Sequence, residues 1–283
     1  MKRITAHTRV AAVIGWPVSH SLSPVIHNAA FASTGFDAVY VAFAVAPGET
    51  SKALASAAQL DLLGLSVTMP HKSDIARLVD EISPAAAALD SVNTVQFSGG
   101  RTVGHSTDGD GLIASMKADG VDVTGAKVLV LGAGGAARSV VDALSRHGAH
   151  RVIVANRTVD NARRTAQLGP DGTTAIEMSD ASIAAAVSDS DIVINCTSIG
   201  MASSDRASES PIPASHLTNQ HVVVDLVYHP LVTPLMREAA DAGSRVIGGL
   251  GMLIHQAALQ QVIWTGHEPD IAAMYAAARQ ALG

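Results

Sequence analysis

Residues 127–146 read KVLVLGAGGAARSVVDALSR: a short apolar run, a glycine-rich break and a helix-length amphipathic stretch, with no spacer between them. A buried strand that turns straight into a helix through glycines of this spacing is the opening βα unit of a doubly wound sheet. Gly132 permits the tight turn, Gly134 lets backbone approach a pyrophosphate, and Ala137 is small enough for helix and strand to pack closely. The amides exposed at the helix start then face a diphosphate. Any βα turn can be glycine-rich, so the motif gains its weight from the strand before it, the helix after it and the second strand RVIVA. That strand ends at Ala155, and Asn156, Arg157 and Thr158 follow, the first of them 24 positions after Gly132. An NAD-selective site would place Asp or Glu here for the ribose 2′-hydroxyl. Arg157 instead offers a planar fork of donors to a 2′-phosphate, beside the neutral side chains of Asn156 and Thr158, so the pattern points to NADP(H).

Apolar runs of strand length alternate with Ala-rich stretches of helix length along the whole chain, which predicts βα units covering parallel sheets. The first series places strands at Val10–Ile14, Ala38–Ala44 and Gly64–Val67, with helices at about 24–33, 48–60 and 71–77. A second series starts at Lys127 and continues through RVIVANRT, DIVINCTS, HVVVDLVY and SRVIGG. At 283 residues the chain has room for two modest domains. The expected plan is an α/β domain from 1–107 plus the Ala-rich helical tail 250–283, with a doubly wound domain, 108–249, inserted and a cleft between them. Aromatics are only 3 % of the chain against 48 % hydrophobic residues, so the core is built from Ala, Val, Leu and Ile.

The same totals narrow the function. A net charge of −6 without a basic cluster argues against a nucleic-acid surface. Cys196 is the only cysteine, which rules out an internal disulfide and fits a reducing compartment. The first apolar run is short and broken by Gly15, Trp16 and Pro17, and no stretch reaches the ~20 residues of a membrane span, so the expected location is the cytoplasm. None of the twelve histidines falls in a metal-ligand spacing, and no metal is expected.

Polar segments recur after the strands of the first series: HSLSP at 20–24, SVTMPHK at 66–72, SVNTV at 91–95 and GHSTDGDG at 104–111. Each is expected where a parallel sheet presents its carboxyl ends to a crevice. Ser23 before Pro24 suits a helix cap, which leaves Ser21 without a local role; two hydroxyls at i and i+2 can point at one carboxylate. Lys72 and Asp108 are the candidates for proton transfer. A carbonyl receiving hydride needs a proton on its oxygen, an ammonium can donate it, and a nearby carboxylate keeps that ammonium charged.

The stretches GWPVSHSLSPVIHNAAF, LSVTMPHK, SVNTV, STDGDG, LGAGGAARSV, ANRT, NCTSIGM, VYHPLVTPL and GLGMLIHQAALQQVIWTG together resemble the shikimate dehydrogenase family nearly end to end. That resemblance implies NADPH-dependent reduction of 3-dehydroshikimate to shikimate, with a Rossmann-type cofactor domain. It implies that Ser21 and Ser23, helped by Tyr228, hold the substrate carboxylate, and that Thr68, Asn93, Asp108 and Gln256 hold the ring hydroxyls. It makes Lys72 the general acid in reduction and Asp108 its partner. It gives Gly132, Ala133, Gly134, Gly135 and Ala136 the pyrophosphate, Asn156, Arg157 and Thr158 the 2′-phosphate, and Thr197, Leu226 and Gly249 the nicotinamide. The implied partner is the small-molecule substrate, with the protein a monomer or homodimer.

Three positions depart from the family pattern. Ser106 stands where Asn is usual, which threatens the loop that positions Asp108. Asn161 stands where a second arginine often follows the NRT triplet, which threatens NADP selectivity. His229 stands where Asn is common and reads as a surface substitution. Two other functions compete: a quinate/shikimate paralogue of broader range, against which Ser23 rather than Thr speaks, and a non-catalytic ligand sensor, for which Lys72 and Asp108 would be dispensable.

Overall fold

The computed structural model describes residues 4–283. The chain forms two compact units: one runs to Thr107 and takes in Ile254–Gly283, and the other is Asp108–Leu253.

The first unit opens with β1 (Arg9–Gly15), α1 (Ser23–Thr34), β2 (Ala38–Ala44), α2 (Thr50–Gln59), β3 (Gly64–Val67) and α3 (Lys72–Leu78). It continues with β4 (Glu81–Ile82), α4 (Pro84–Leu89), β5 (Thr94–Ser98) and β6 (Arg101–His105). The sheet order is β2-β1-β3-β5-β6-β4. Strands β1, β2 and β3 are parallel, as the βα alternation predicts, but β5 runs antiparallel to both β3 and β6. The cause is local. Gly99 and Gly100, both at positive φ (58° and 78°), form a two-residue hairpin that returns the chain beside itself. The sheet is therefore mixed rather than wholly parallel.

The second unit contains α5 (Asp108–Ala118), β7 (Lys127–Leu131), α6 (Gly135–Arg146), β8 (Arg151–Asn156), α7 (Val159–Ala166), β9 (Thr174–Glu177) and α8 (Asp180–Ser188). Next come β10 (Ile192–Asn195), β11 (Val222–Asp225), α9 (Pro234–Asp241) and β12 (Arg245–Gly248). All its pairings are parallel, in the order β12-β11-β10-β7-β8-β9. The order reverses between β7 and β10, the switch point where such sheets open a crevice. Val128, Leu129, Val130 and Leu131 of β7 are all completely buried, two on each face of the sheet. Helices must therefore cover both sides, and each such side chain contributes about 1.5–3 kcal/mol by leaving water.

The chain closes with α10 (Leu250–Thr265) and α11 (Ile271–Leu282). Trp264 of α10 seals the first unit's sheet. Its indole Nε1 donates to the Val95 carbonyl (3.0 Å), and its ring fills the place a Cβ on Gly64 would occupy. Among the described residues no helix is long and apolar enough to cross a membrane.

Candidate functional site

Parallel pairing of β1 with β3 delivers two of the four polar segments to one edge of the first sheet. The Thr68 amide donates to the Ile14 carbonyl and the Trp16 amide to the Met69 carbonyl, both at 3.0 Å. Gly15 makes this approach possible, because a Cβ there would lie 2.4 Å from the Thr68 methyl. The SVNTV segment reaches the same edge from the other direction. Asn93 precedes an antiparallel strand, so it lies at that strand's start, where its carbonyl accepts from the Val67 amide (2.8 Å). The expectation of strand carboxyl ends holds for HSLSP and VTMPHK and is corrected for Asn93.

Lys72 is the first residue of α3, and its backbone is held on both sides. Its carbonyl accepts from the Val92 amide at 3.0 Å. The preceding residue, His71, is fully buried, with Nδ1 bonded to the Thr50 hydroxyl and Nε2 to the Val45 carbonyl, both 2.8 Å. His71 thus anchors the turn that carries Lys72.

The two serines have exchanged the roles expected of them. Helix α1 begins at Ser23 itself, after Leu22 in the cap position, and the Ser23 hydroxyl caps nothing. Ser21 Oγ accepts from the Ser23 amide (3.2 Å). Tyr40, 1 % exposed, donates to Ser66 Oγ at 2.6 Å; Ser66 donates to Gln260 Oε1 at 2.7 Å; and Gln260 Nε2 donates to the Asn93 carbonyl at 3.4 Å. Burial pushes the Tyr40 phenol well above its ordinary range, so it stays a neutral donor. His27, stacked on Tyr40 at 4.1 Å, is pushed down to about 3 by burial and is neutral as well. Gln256 is buried one turn before Gln260, on the same face of α10.

Asn93 also fixes the approach to Asp108. Its Oδ1 accepts from the Thr107 amide (2.9 Å) and the Thr94 hydroxyl (2.8 Å), and its Nδ2 donates to Thr107 Oγ1 (2.9 Å). The loop is held by Thr107, so Ser106 in place of Asn leaves its anchor intact. Ser21, Ser23, Thr68, Lys72, Asn93 and Gln256 belong to the first unit, whereas Asp108, at the start of α5, and Tyr228, after β11, belong to the second. Burial raises the Tyr228 phenol, and His229 beside it is exposed.

In the second unit the glycine turn leaves β7 as the spacing predicts. Gly132 has φ +106°, and a Cβ there would crowd Thr197 Cγ2 (3.2 Å) and Cys196 (3.3 Å). Gly134, in the cap position of α6, and Gly135 have nothing within 4 Å of where a Cβ would stand. The turn thus offers open space above unpaired helix-start amides, the surroundings a diphosphate needs. At the end of β8, Asn156 Nδ2 donates to the Thr158 carbonyl (3.0 Å), shaping the turn that exposes Arg157. Arg163 is paired with Asp160 (2.7 Å) and Arg164 donates to Asn161, so both cations are held by their own helix.

The loops after β10, β11 and β12 meet beside that turn. The Leu226 amide donates to the Asn195 carbonyl (3.0 Å), and a Cβ on Gly249 would stand 2.2 Å from the Leu226 carbonyl oxygen. These contacts bring Thr197, Leu226 and Gly249 together. Beneath them lies Asp225, with no exposed surface and bonded to Asn195 and Thr233, a group that sequence reasoning missed. Tyr40, Ser66 and Gln260 were not singled out either, although Ser66 opens the SVTMPHK segment and Gln260 follows Gln256 by one helical turn.

Comparison with known proteins gives a consistent result. Residues 13–95 match the family described as shikimate dehydrogenase substrate binding domain, residues 113–242 the shikimate/quinate 5-dehydrogenase family, and residues 249–279 the shikimate 5′-dehydrogenase C-terminal domain. The shikimate dehydrogenase (NADP+) of Moorella thermoacetica is 40 % identical over 287 residues, covering 100 % of this chain and 97 % of that protein. The shikimate 5-dehydrogenase of Thermus thermophilus, solved with NADP(H) and shikimate, is 36 % identical with a TM-score of 0.87, covering 97 % of this chain and 100 % of that one. That of Listeria monocytogenes, solved with shikimate and NAD, is 33 % identical with a TM-score of 0.93, covering 98 % of each chain.

Proposed function

This chain belongs to the shikimate dehydrogenase family, and from that premise we propose that it interconverts 3-dehydroshikimate and shikimate with NADP(H). The observation that carries the proposal is that the match runs through both units while each keeps its own chemistry: Lys72 opens a helix at one polar sheet edge, and the glycine turn opens another at a switch point.

Bound NADPH supplies the hydride. Gly132, Ala133, Gly134, Gly135 and Ala136 receive the diphosphate on backbone amides, because no side chain obstructs Gly134 or Gly135. Asn156, Arg157 and Thr158 take the 2′-phosphate, with the Arg157 fork supplying the charge. Thr197, Leu226 and Gly249 would line the nicotinamide end of the site. Ser21, Ser23 and Tyr228 bind the substrate carboxylate, and Thr68, Asn93, Asp108 and Gln256 the ring hydroxyls. A pocket of hydroxyls and amides rejects analogues strongly, since each missing substrate group strands a desolvated partner. Lys72 gives its ammonium proton to the carbonyl oxygen as the carbon becomes an alcohol, and takes it back in the oxidation. The family resemblance gives Asp108 as the partner of Lys72 in that step. The single cysteine and the reduced cofactor suit the cytoplasm.

The test is the set of initial rates for shikimate and for quinate, each with NADP+ and with NAD+. A strong preference for shikimate with NADP+ supports the proposal. Comparable quinate or NAD+ rates move the chain to a broader shikimate/quinate dehydrogenase, which the description of the family matched by residues 113–242 allows. No turnover of either acid refutes catalysis and leaves a ligand sensor.

A further inference from the structure

We propose that Asp225, a carboxylate with no exposed surface at the end of β11, is a positioning residue for the nicotinamide end of the cofactor; the inference rests on the NADP(H) site assigned above. A buried carboxylate costs several kcal/mol unless donors replace its water. Asp225 has three: Asn195 Nδ2 (2.9 Å) and the Val227 amide (3.0 Å) on Oδ1, and the Thr233 hydroxyl (2.6 Å) on Oδ2. All three are neutral, so the carboxylate is satisfied without a salt bridge. They come from three segments: the end of β10, the loop after β11, and the start of α9, where Thr233 Oγ1 also accepts from the Met236 amide (3.2 Å). Apolar packing would hold those segments together at lower cost, so the carboxylate calls for another role.

The hydrogen-bond directions supply that role. Asn195 donates through Nδ2 to Asp225 and to the Ile199 carbonyl (3.4 Å), which turns its Oδ1 toward Thr197. That oxygen accepts from the Thr197 amide (3.0 Å) and the Thr197 hydroxyl (2.7 Å), and Thr197 Oγ1 accepts in turn from the Ile199 amide (3.2 Å). The threonine hydroxyl is thereby fully occupied on one side. Its methyl is turned to the other, 3.2 Å from where a Cβ on Gly132 would stand. The same Asp225 oxygen that aims Asn195 holds the Val227 amide and so sets the course of the loop through Leu226. One buried oxygen therefore fixes both the face that Thr197 shows to the glycine turn and the position of Leu226. An asparagine at position 225 keeps an acceptor for Asn195 and the Val227 amide but turns a donor toward Thr233 Oγ1, which already accepts from the Met236 amide, so the hold on that oxygen loosens.

Calorimetric titration of the full-length chain with NADP+ and with adenosine 2′,5′-bisphosphate, which lacks the nicotinamide half, tests this. Asp225→Asn should weaken NADP+ binding about tenfold and leave the bisphosphate within about twofold of wild type, with the KM for shikimate unchanged. Asn195→Leu, which leaves Asp225 in place but cannot aim Thr197, should reproduce the split; it serves if Asp225→Asn does not fold. Equal weakening of both ligands makes Asp225 a general support of the fold and overturns the proposal, as does wild-type NADP+ affinity in both variants. If the wild-type chain binds neither ligand, the NADP(H) site itself fails.

Discussion

Substituting Gly249 by alanine probes how closely the second unit's loops must approach. The added carbon would stand 2.2 Å from the Leu226 carbonyl oxygen and 2.8 Å from that of Val227, about 1 Å or more inside ordinary contact. Neither obstacle is the end of a side chain that can swing aside. The Leu226 amide is tied to the Asn195 carbonyl and the Val227 amide to Asp225, both at 3.0 Å, so relief requires the whole turn to retreat. Overpacking of this kind costs about 1–3 kcal/mol. A shift of about 1 Å in a group that aligns the reacting ring lowers turnover by roughly 10²-fold. Initial rates of shikimate oxidation with NADP+ should show that loss in kcat, and melting of the ligand-free protein should fall by a few degrees. Gly134→Ala is the matched control: with nothing within 4 Å, its methyl should leave melting unchanged and weaken NADP+ binding by standing where the diphosphate approaches. A Gly249→Ala enzyme with kcat within about threefold of wild type would refute the reasoning.

Three further outcomes follow from single residues. Lys72→Ala should lower kcat by about 10²- to 10⁴-fold with folding intact, and wild-type turnover would remove Lys72 from the chemistry. Arg157→Ala should raise the KM for NADP+ by about 10- to 100-fold, the size of a lost charge-assisted hydrogen bond, while NAD+ kinetics stay put; equal effects on both cofactors would place the arginine elsewhere. His27, at about 3 when folded against an ordinary 6.5, binds its proton more readily in the unfolded chain. Its contribution is therefore complete above pH 6.5 and declines as pH falls toward 3, by up to about 1.4 kcal/mol per unit. His27→Phe keeps a ring against Tyr40 and should flatten the loss of melting temperature between pH 6.5 and 5; an unchanged slope would contradict the assignment.

The second unit was legible because its constraints are local. A strand, three small residues and a helix leave one turn geometry, and the 24-residue step to Asn156 is set by the length of α6 and β8. The first unit was harder. The Gly99–Gly100 hairpin is a short-range signal for antiparallel pairing, yet the βα rhythm before it masked it. Ser21, Thr68, Lys72 and Asn93 were found because they stand in polar segments. Tyr40 and Gln260 could not be found that way. Each lies inside a regular element and has meaning only through Ser66, which stands 194 positions from Gln260. Asp225 was hidden for the same reason, at the end of an apolar strand where a carboxylate ordinarily reads as the first solvated residue.

The chain from Gln260 through Ser66 to Tyr40 has a polarity. Gln260 gives its amide hydrogen to the Asn93 carbonyl, so toward Ser66 it can only receive. Ser66 spends its one hydroxyl hydrogen there and Tyr40 spends its own on Ser66. The phenol oxygen is thus left with lone pairs alone, and whatever next approaches it must bring the hydrogen. A residue at position 260 that offered Ser66 a donor would turn both hydroxyl hydrogens around, so a glutamine on α10 decides which way a tyrosine on β2 can bond.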